Sequence, residues 1–294
     1  MTIGYYPGCT LKTKAKNLED SALASLKALG LEVEELERWN CCGAVFSLAD
    51  DDLIHQVAPV RDLIRARDAG HTQLTTLCSM CYNTLARANK LVAEDEEKRK
   101  TLNLFMDEES DYAGEVEVVH YLDLLRREIG WDKLAAAVKK PLSGLRVAAY
   151  YGCTLLRPDE VAIESPTSPT MFNDFLRALG AEAVDFAAAQ DCCSSYQILG
   201  NEGAALEASA KVLRSATQTK VDALAMSCPV CEYNLGRRQG DIREKHAGVG
   251  EIPTFYFTQL LALALGLPEE DLGLKFNIPA SAELLKAKNY LAAG

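Results

Sequence analysis

The chain has 294 residues, of which 48% are hydrophobic, and a net charge of −11, so it is long enough to fold as two ordinary domains. The negative charge argues against nucleic acid as a partner, because nucleic acids select basic patches. No stretch approaches the roughly 18 continuous apolar residues of a membrane-spanning helix, and the N-terminus lacks the pattern of a signal peptide. We expect a cytoplasmic protein with no direct membrane span, whose partners are small molecules or other proteins.

The first half of the chain alternates short apolar runs with amphipathic stretches. Strands are predicted over 3–8, 32–36 and 73–78, with helices over about 14–29 and about 50–69 between them. Residues 94–117, with ten acidic side chains against three basic ones, predict a solvated linker or an exposed helix. A further strand and helix follow over 115–125.

The second half repeats this alternation. It predicts strands over 146–152, 181–186 and 223–228, and helices near 168–179 and 202–219. Residues 255–267 predict a short strand followed by a buried helix, and the tail after 267 predicts a helix packed on its own domain, with a docking surface as the alternative. Such alternation is typical of parallel βαβ units, which gives an α/β fold.

Ten cysteines fall into two sets with nearly the same spacing. Residue counts between successive cysteines are 31, 0, 35 and 2 in the first set and 38, 0, 34 and 2 in the second. Flanking sequences agree with this register, because "YYPGCTL" at 5–11 matches "AYYGCTL" at 149–155. The repeat predicts two tandem homologous domains with short parallel sheets flanked by helices, related by a pseudo-twofold axis, over residues 1–141 and 142–294.

These cysteines are predicted at the carboxyl ends of strands or in the first turns of helices, where open α/β sheets place ligands. Cys228 is predicted at a helix N-cap with Pro229 at the first helical position, so that both Cys228 and Cys231 are favoured as thiolates. Disulfides do not suit a reducing compartment. A structural zinc site needs only four ligands and would leave one cysteine over in each set, so zinc is the weaker alternative to an iron–sulfur cluster.

The double motif, with an adjacent cysteine pair and a CxxC in each copy, resembles the cysteine-rich CCG domain pair. Over this length the chain resembles the B subunit of heterodisulfide reductase. The resemblance implies one noncubane [4Fe-4S] cluster per set, and a disulfide substrate cleaved between the two clusters to give two thiols. The implied metal ligands are Cys9, Cys41, Cys42, Cys78 and Cys81 for one cluster, and Cys153, Cys192, Cys193, Cys228 and Cys231 for the other.

The same resemblance implies an iron–sulfur protein, the C subunit of such a complex, as the electron donor, and a flavoprotein, the A subunit, beyond it. Two other roles are open: an electron-transfer subunit of a lactate, glycolate or succinate-oxidising complex, and a zinc-stabilised scaffold.

Weaker candidates surround the cysteines. Gly8, Gly43, Gly152 and Ser194 are predicted to line the cluster pockets, and Ser194 replaces the glycine of the first pair, which is expected to alter the second pocket because serine takes positive φ at a cost. Lys12 and Arg157 are candidates for attracting an anionic substrate. The four histidines are expected to be surface or satisfied core residues, and Tyr5, Tyr6, Tyr150 and Tyr151 to belong to strands or line the pocket.

Overall fold

The protein is described here from a computed structural model that covers residues 3–44 and 52–292. The elements of its first half alternate as expected, and the first helix ends at Gly30, whose φ of 74° allows the left-handed conformation of a C-cap. In chain order they are β1 (Ile3–Tyr5), α1 (Lys16–Leu29), β2 (Val33–Glu35), α2 (Val57–Asp68), β3 (Gln73–Thr76), α3 (Ser79–Glu94), α4 (Glu96–Phe105), β4 (Glu117–His120), α5 (Tyr121–Glu128) and α6 (Trp131–Ala137).

The second half repeats the order of the first and ends with additional helices. A π-helical turn at Tyr233–Arg237 follows α9, whereas the corresponding α3 continues as a regular helix. The elements are β5 (Arg146–Ala149), α7 (Met171–Ala178), β6 (Glu182–Ala183), α8 (Glu202–Gln218), β7 (Ala223–Met226), α9 (Pro229–Glu232), α10 (Gln239–Lys245), β8 (Thr254–Tyr256), α11 (Phe257–Ala264), α12 (Glu269–Leu272) and α13 (Pro279–Ala287).

Each half contains a four-stranded sheet, and all strand pairs in both sheets are parallel. The strand orders are β2-β1-β3-β4 and β6-β5-β7-β8, so the two sheets have one topology. In each sheet, the second strand in the chain pairs on one side of the first strand, and the third strand pairs on the other side of the first. This makes the carboxyl ends of β1 and β3, and of β5 and β7, a topological switch point where such sheets bind ligands. The predicted α/β architecture is confirmed.

The two halves pack through helices and a shared aromatic cluster. Helix α1 of the first half lies against α11 of the second, where Ser21 Oγ donates to Thr258 Oγ1 at 2.7 Å. Phe257, fully buried at the start of α11, contacts the rings of His120, Tyr121, Phe172 and Phe175, with centroids 5.7 to 5.9 Å apart. The halves therefore share one continuous apolar core.

Some predicted elements differ in extent. The helix expected over 50–69 is a 3-10 turn at Leu53–Gln56 followed by α2, because Asp52 caps the turn by accepting from the Ile54 amide; residues 50 and 51 lie outside the described part. The acidic segment 94–117 contains helix α4, which is largely exposed, as one of the two predicted alternatives. No helix in the described residues is long and apolar enough to cross a membrane.

The C-terminal helix α13 packs on its own domain, as expected, and the segment before it also contacts the first half. Ser281 donates to the Thr254 carbonyl of the second half, and Asn17 in α1 donates to Asn277 Oδ1 at 2.8 Å. The tail thus covers the junction of α1 and α11. The domain boundary between residues 141 and 142 stays a prediction.

Replacement of Phe257 by alanine should lower the free energy of unfolding by about 3 to 5 kcal/mol, because it removes a buried ring from the interface between the halves. Phe105→Ala is the matched control, since that ring is 60% exposed, and its effect should stay within about 0.5 kcal/mol. Urea unfolding of both variants measures the difference. Equal effects would show that the aromatic cluster does not hold the halves together.

Candidate metal centre

All ten cysteines follow the carboxyl ends of strands. In the first half, Cys9 follows β1, Cys41 and Cys42 follow β2, and Cys78 is the N-cap of α3 after β3. The second half places its five in the same way, with Cys228 as the N-cap of α9 and Pro229 at its first position, as predicted. Because the strands are parallel, these ends share one edge of each sheet, and the five thiols of a set converge there.

The sulfur atoms of each set lie in contact. The Sγ atoms of Cys9 and Cys41 are 3.6 Å apart, and those of Cys153 and Cys192 are 3.7 Å apart. Deeper in the second set, Cys193 Sγ lies 3.4 Å from Cys231 Sγ. In the first set, the neighbouring thiols of Cys41 and Cys81 hold the pKa of Cys42 well below its usual range. All ten thiols are free of disulfide bonds.

The two sets approach each other at Cys78 and Cys228. The neighbouring Cys228 thiol is the main cause that raises the pKa of Cys78 well above its usual range. Both residues are buried, each as the N-cap of its helix. The ten cysteines therefore form one continuous sulfur-lined region, which crosses from one half to the other.

Access differs from one end of this region to the other. Cys9 and Cys41 are exposed, Cys153 and Cys192 are half-buried, and the remaining six cysteines are buried. The outer edge of the first set is thus the most accessible part.

Hydrogen bonds among the thiols divide them into donors and acceptors. A bond from Cys153, with the Ser194 amide also contributing, lowers the pKa of Cys192 to about 6. Bonds from Cys231 and Cys78 hold the pKa of Cys228 well below its usual range. The pKa of Cys231 is raised well above its usual range, first because of its hydrogen bond with Cys193. The neighbouring thiols thus act in opposite directions on Cys228 and Cys231, and the expectation that the helix terminus favours both as thiolates stays a prediction.

Two glycines allow the backbone to approach these sulfurs. Gly8 has a φ of +72°, and a Cβ added there would lie 3.0 Å from Cys81 Sγ, closer than side chains normally come. In the second half the approach is less close, because a Cβ added to Gly152, whose φ is +64°, would lie at an ordinary contact distance of 3.7 Å from Cys231 Sγ. Both glycines contact the thiol sets from the positions that the repeat assigns to them.

Ser194 adopts the backbone conformation of its glycine counterpart. Its φ is 54°, against 71° for Gly43, and its amide donates to Cys192 Sγ at 3.3 Å. Serine therefore takes the positive φ of its glycine counterpart at this turn. An effect of Ser194 on the second cluster pocket stays a prediction.

Tyrosine hydroxyls hold the loops that carry the cysteine pairs. Tyr6 donates to the carbonyl of Asn40, directly before the first pair, and Tyr150 donates to that of Asp191, directly before the second. In the first half the buried Asp62 also accepts from the Asn40 amide at 2.8 Å. Asp62 carries no sequence motif, so its role was not predictable, whereas the two tyrosines hold equivalent places in the repeat.

Each half also anchors the first-cysteine loop of the other half. From α3, Asn83 donates to the carbonyls of Thr154 and Arg157, which follow Cys153. From the π-helical turn, Arg237 donates to the carbonyl of Lys14, in the loop after Cys9. This reciprocal bonding fixes the two thiol sets relative to each other.

The remaining predicted side chains have structural partners. His120 is buried, with Nδ1 accepting from the Leu122 amide and Nε2 beside the Leu77 carbonyl, and burial lowers its pKa to about 4. Lys12 lies 2.7 Å from Glu19 and 2.6 Å from Glu35, so its charge is balanced. Arg157 donates to the Gln190 carbonyl at 3.1 Å.

The donor set fits a multi-iron cluster in its chemistry. Each set offers five thiols from three loops, and the absence of a side chain at Gly8 keeps the backbone from pressing on Cys81 Sγ. Within the described ranges, no three or more histidine, cysteine or acidic side chains are arranged for a single metal ion.

Comparison with known proteins agrees with the repeat. The CCG cysteine-rich domain matches residues 3–86 and 147–236. The chain is 33% identical, over 95% of its length and 98% of the relative's, to the 8-methylmenaquinol:fumarate reductase membrane anchor subunit of Wolinella succinogenes. It is 29% identical, over 99% of its length and 98% of the relative's, to the B subunit of the ferredoxin/F(420)H(2)-dependent CoB-CoM heterodisulfide reductase of Methanosarcina acetivorans. The resemblance expected from the cysteine motifs is confirmed.

A solved structure, that of a hypothetical protein from Helicobacter pylori, has the same fold. It superposes with a TM-score of 0.75 at 16% identity, covering 94% of this chain. The chain spans about half, 51%, of that protein's length.

Replacement of Gly8 by alanine should displace Cys81, because the new Cβ would press on its sulfur in addition to the cost of positive φ, about 1 to 2 kcal/mol. Gly30→Ala is the matched control: its φ is +74° and an added Cβ meets nothing within 4 Å. We expect both variants to lose stability, and only Gly8→Ala to lose bound metal, measured per chain after anaerobic purification. Equal metal retention would contradict a cluster seated against Gly8.

Proposed function

Because the chain belongs to the CCG cysteine-rich domain family, we propose that it is the catalytic subunit of a heterodisulfide reductase-like complex, which reduces a disulfide to two thiols. The observation that carries this proposal is that two five-thiol sets are held side by side: Cys78 and Cys228 are buried helix N-caps, and each half bonds the first-cysteine loop of the other. A substrate bound at their junction would lie next to both sets at once. The relatives named as the B subunit of heterodisulfide reductases, similar over nearly the whole chain, support the same reaction class.

In this proposal each set holds one noncubane [4Fe-4S] cluster. The ligands of the first are Cys9, Cys41, Cys42, Cys78 and Cys81, and those of the second are Cys153, Cys192, Cys193, Cys228 and Cys231. The adjacent pairs supply two ligands from one loop, and the tyrosine bonds before each pair keep that loop in place. Gly8, Gly43, Gly152 and Ser194 shape the loops around the clusters.

When bound, the clusters would supply the two electrons that break a sulfur–sulfur bond, with two protons completing the two thiols. The chain positions the two halves for this reaction through the bonds from Asn83 to Thr154 and from Arg237 to Lys14. The buried inner thiols and the aromatic core beside them exclude water from the junction.

Electrons enter, in this proposal, at the exposed edge of the first set. Cys9 and Cys41 are the most accessible of the ten cysteines, so a partner protein can approach that edge closely. We propose the iron–sulfur C subunit of such a complex as the immediate donor and the flavoprotein A subunit beyond it. The relatives are named as subunits of reductases, which supports a multi-subunit complex. A cytoplasmic location stays a prediction, since one relative is named a membrane anchor subunit.

A second candidate function is electron transfer without disulfide chemistry. The relative at 33% identity is named as a subunit of a quinol:fumarate reductase, which favours a succinate dehydrogenase-like complex over one that oxidises lactate or glycolate. In such a complex the same clusters would pass electrons between partners, and no disulfide would bind.

Single-turnover disulfide reduction separates the two functions. The full chain is reduced photochemically, freed of reductant and mixed anaerobically with an organic disulfide, while released thiols are counted. We expect two thiols per disulfide consumed, and at least a tenfold slower release in Cys41→Ala and in Cys193→Ala, one variant from each set. Release unaffected by either variant would contradict the proposal, and reoxidation by quinone with no thiol from any disulfide would favour electron transfer.

A further inference from the structure

Asp62 is a buried carboxyl that supports the loop of the first cysteine pair. It lies in α2 and is fully buried. One of its carboxyl oxygens accepts from the backbone amide of Asn40 at 2.8 Å, and the other accepts from the Asn40 side-chain amide at 3.3 Å. Asn40 directly precedes the first pair, and its carbonyl accepts from the Tyr6 hydroxyl. Asp62 therefore acts on the first cysteine pair through Asn40.

The charge of Asp62 is only partly balanced by its neighbours. Burial raises the pKa of Asp62 to about 7, although the Asn40 amide and then Arg65 and Arg61 of the same helix oppose this. Both arginines also lie within 3.4 Å of Glu109, so their positive charge is shared with a second carboxylate. The carboxyl of Asp62 is accordingly ionised at pH 8.5, inside the protein.

Asp62 lies close enough to the first thiol set to act on the same tyrosine as two of its members. Burial raises the pKa of Tyr6 well above its usual range, and the nearby charges of Cys42, Cys81 and Asp62 add to this effect. Charges in a buried region interact more strongly than charges in water, because the local dielectric constant is low. A carboxylate at this place disfavours the negative charge that a group bound by these thiols gains on reduction.

The second half supports its cysteine pair with neutral groups. Val212, which is fully buried, stands 16 residues before Cys228, just as Asp62 stands 16 residues before Cys78. The carbonyl of Cys193 in the second pair accepts instead from two uncharged donors. These donors are Ser209 Oγ at 3.2 Å and Asn234 Nδ2 at 3.0 Å.

A carboxylate also lies beside the second pair, but it is screened by solvent. Asp191 stands where the first half has Asn40, and its carboxylate pairs with Lys211 at 2.6 Å. These two side chains are 38% and 72% exposed, and ion pairs at such sites contribute little. Among the described residues, a buried carboxylate bonded to a cysteine-pair loop is therefore a feature of the first half alone.

We propose that Asp62 is a positioning residue that lowers the reduction potential of the first cluster below that of the second. This inference rests on the two clusters of the proposed function. A lower potential makes the first set the better electron donor of the two. Electrons that enter at the exposed edge of the first set thus pass energetically downhill to the second set, and the order of electron flow is fixed by one side chain.

The test is a redox titration of the full chain at pH 8.5, followed anaerobically by EPR. Wild-type protein should show two midpoint potentials. In Asp62→Asn the lower one should rise by about 59 mV, a tenfold change in a one-electron equilibrium constant, because a buried negative charge is lost. Asp62→Val, which has the residue of the second half, should show the same rise. The higher potential should stay in place in both variants.

Asp222→Asn is the matched control. Asp222 accepts from the Arg146 amide at 2.8 Å, as Asp62 does from that of Asn40, but it directly precedes β7, at the edge of the sheet opposite the thiols. Both potentials should be unchanged in this variant. The double variant Cys9→Ala/Cys42→Ala, which disables the first set, should retain only the higher potential, and adding Asp62→Asn to it should move nothing.

Unchanged potentials in both Asp62 variants would overturn the inference, and so would two equal potentials in the wild-type protein. Loss of the first set's iron in both Asp62 variants would overturn it as well, because Asp62 would then serve only to fold the loop. Two potentials that respond to Asp62 as expected, in a protein that reduces no disulfide, would instead overturn the proposed disulfide reduction and leave the role of Asp62 standing.

Discussion

The convergence of parallel strand ends is the constraint on which the site depends. Each half draws five cysteines from points spread over about 70 residues, and a four-stranded parallel sheet brings them together because its strands end at one edge. No local motif achieves this, since a CxxC supplies only two thiols. The sheet must form before the thiol set exists, so the fold and the metal site are inseparable.

Duplication adds contacts between two halves, which a single half lacks. The halves share the aromatic cluster around Phe257, and each anchors the first-cysteine loop of the other through Asn83 or Arg237. This interlock places Cys78 against Cys228 and joins the two thiol sets. The symmetry is incomplete after the last cysteine of the second set, where a π-helical turn stands in place of the regular helix of the first half.

The sequence was sufficient for the architecture because the repeat and the strand–helix alternation agree throughout. Cys228 at an N-cap followed by Pro229 was also predictable, since proline favours the first helical turn. Features that are set by tertiary contacts could not be predicted from the sequence. The turn at Leu53–Gln56, the tail crossing to Asn17, and the anchoring of Asn40 by Asp62 depend on distant residues. Ser194 is the opposite case, because the residue type argues against a positive φ. The surrounding fold nevertheless holds Ser194 in the backbone conformation of a glycine.

Iron and acid-labile sulfide, measured per chain on anaerobically purified protein with zinc measured in the same sample, test the central claim most directly. Two four-iron clusters predict about eight irons and about eight sulfides per chain, with little zinc. About two zinc ions with little iron would contradict the account, because zinc carries no redox chemistry and would leave the thiol sets as a structural scaffold.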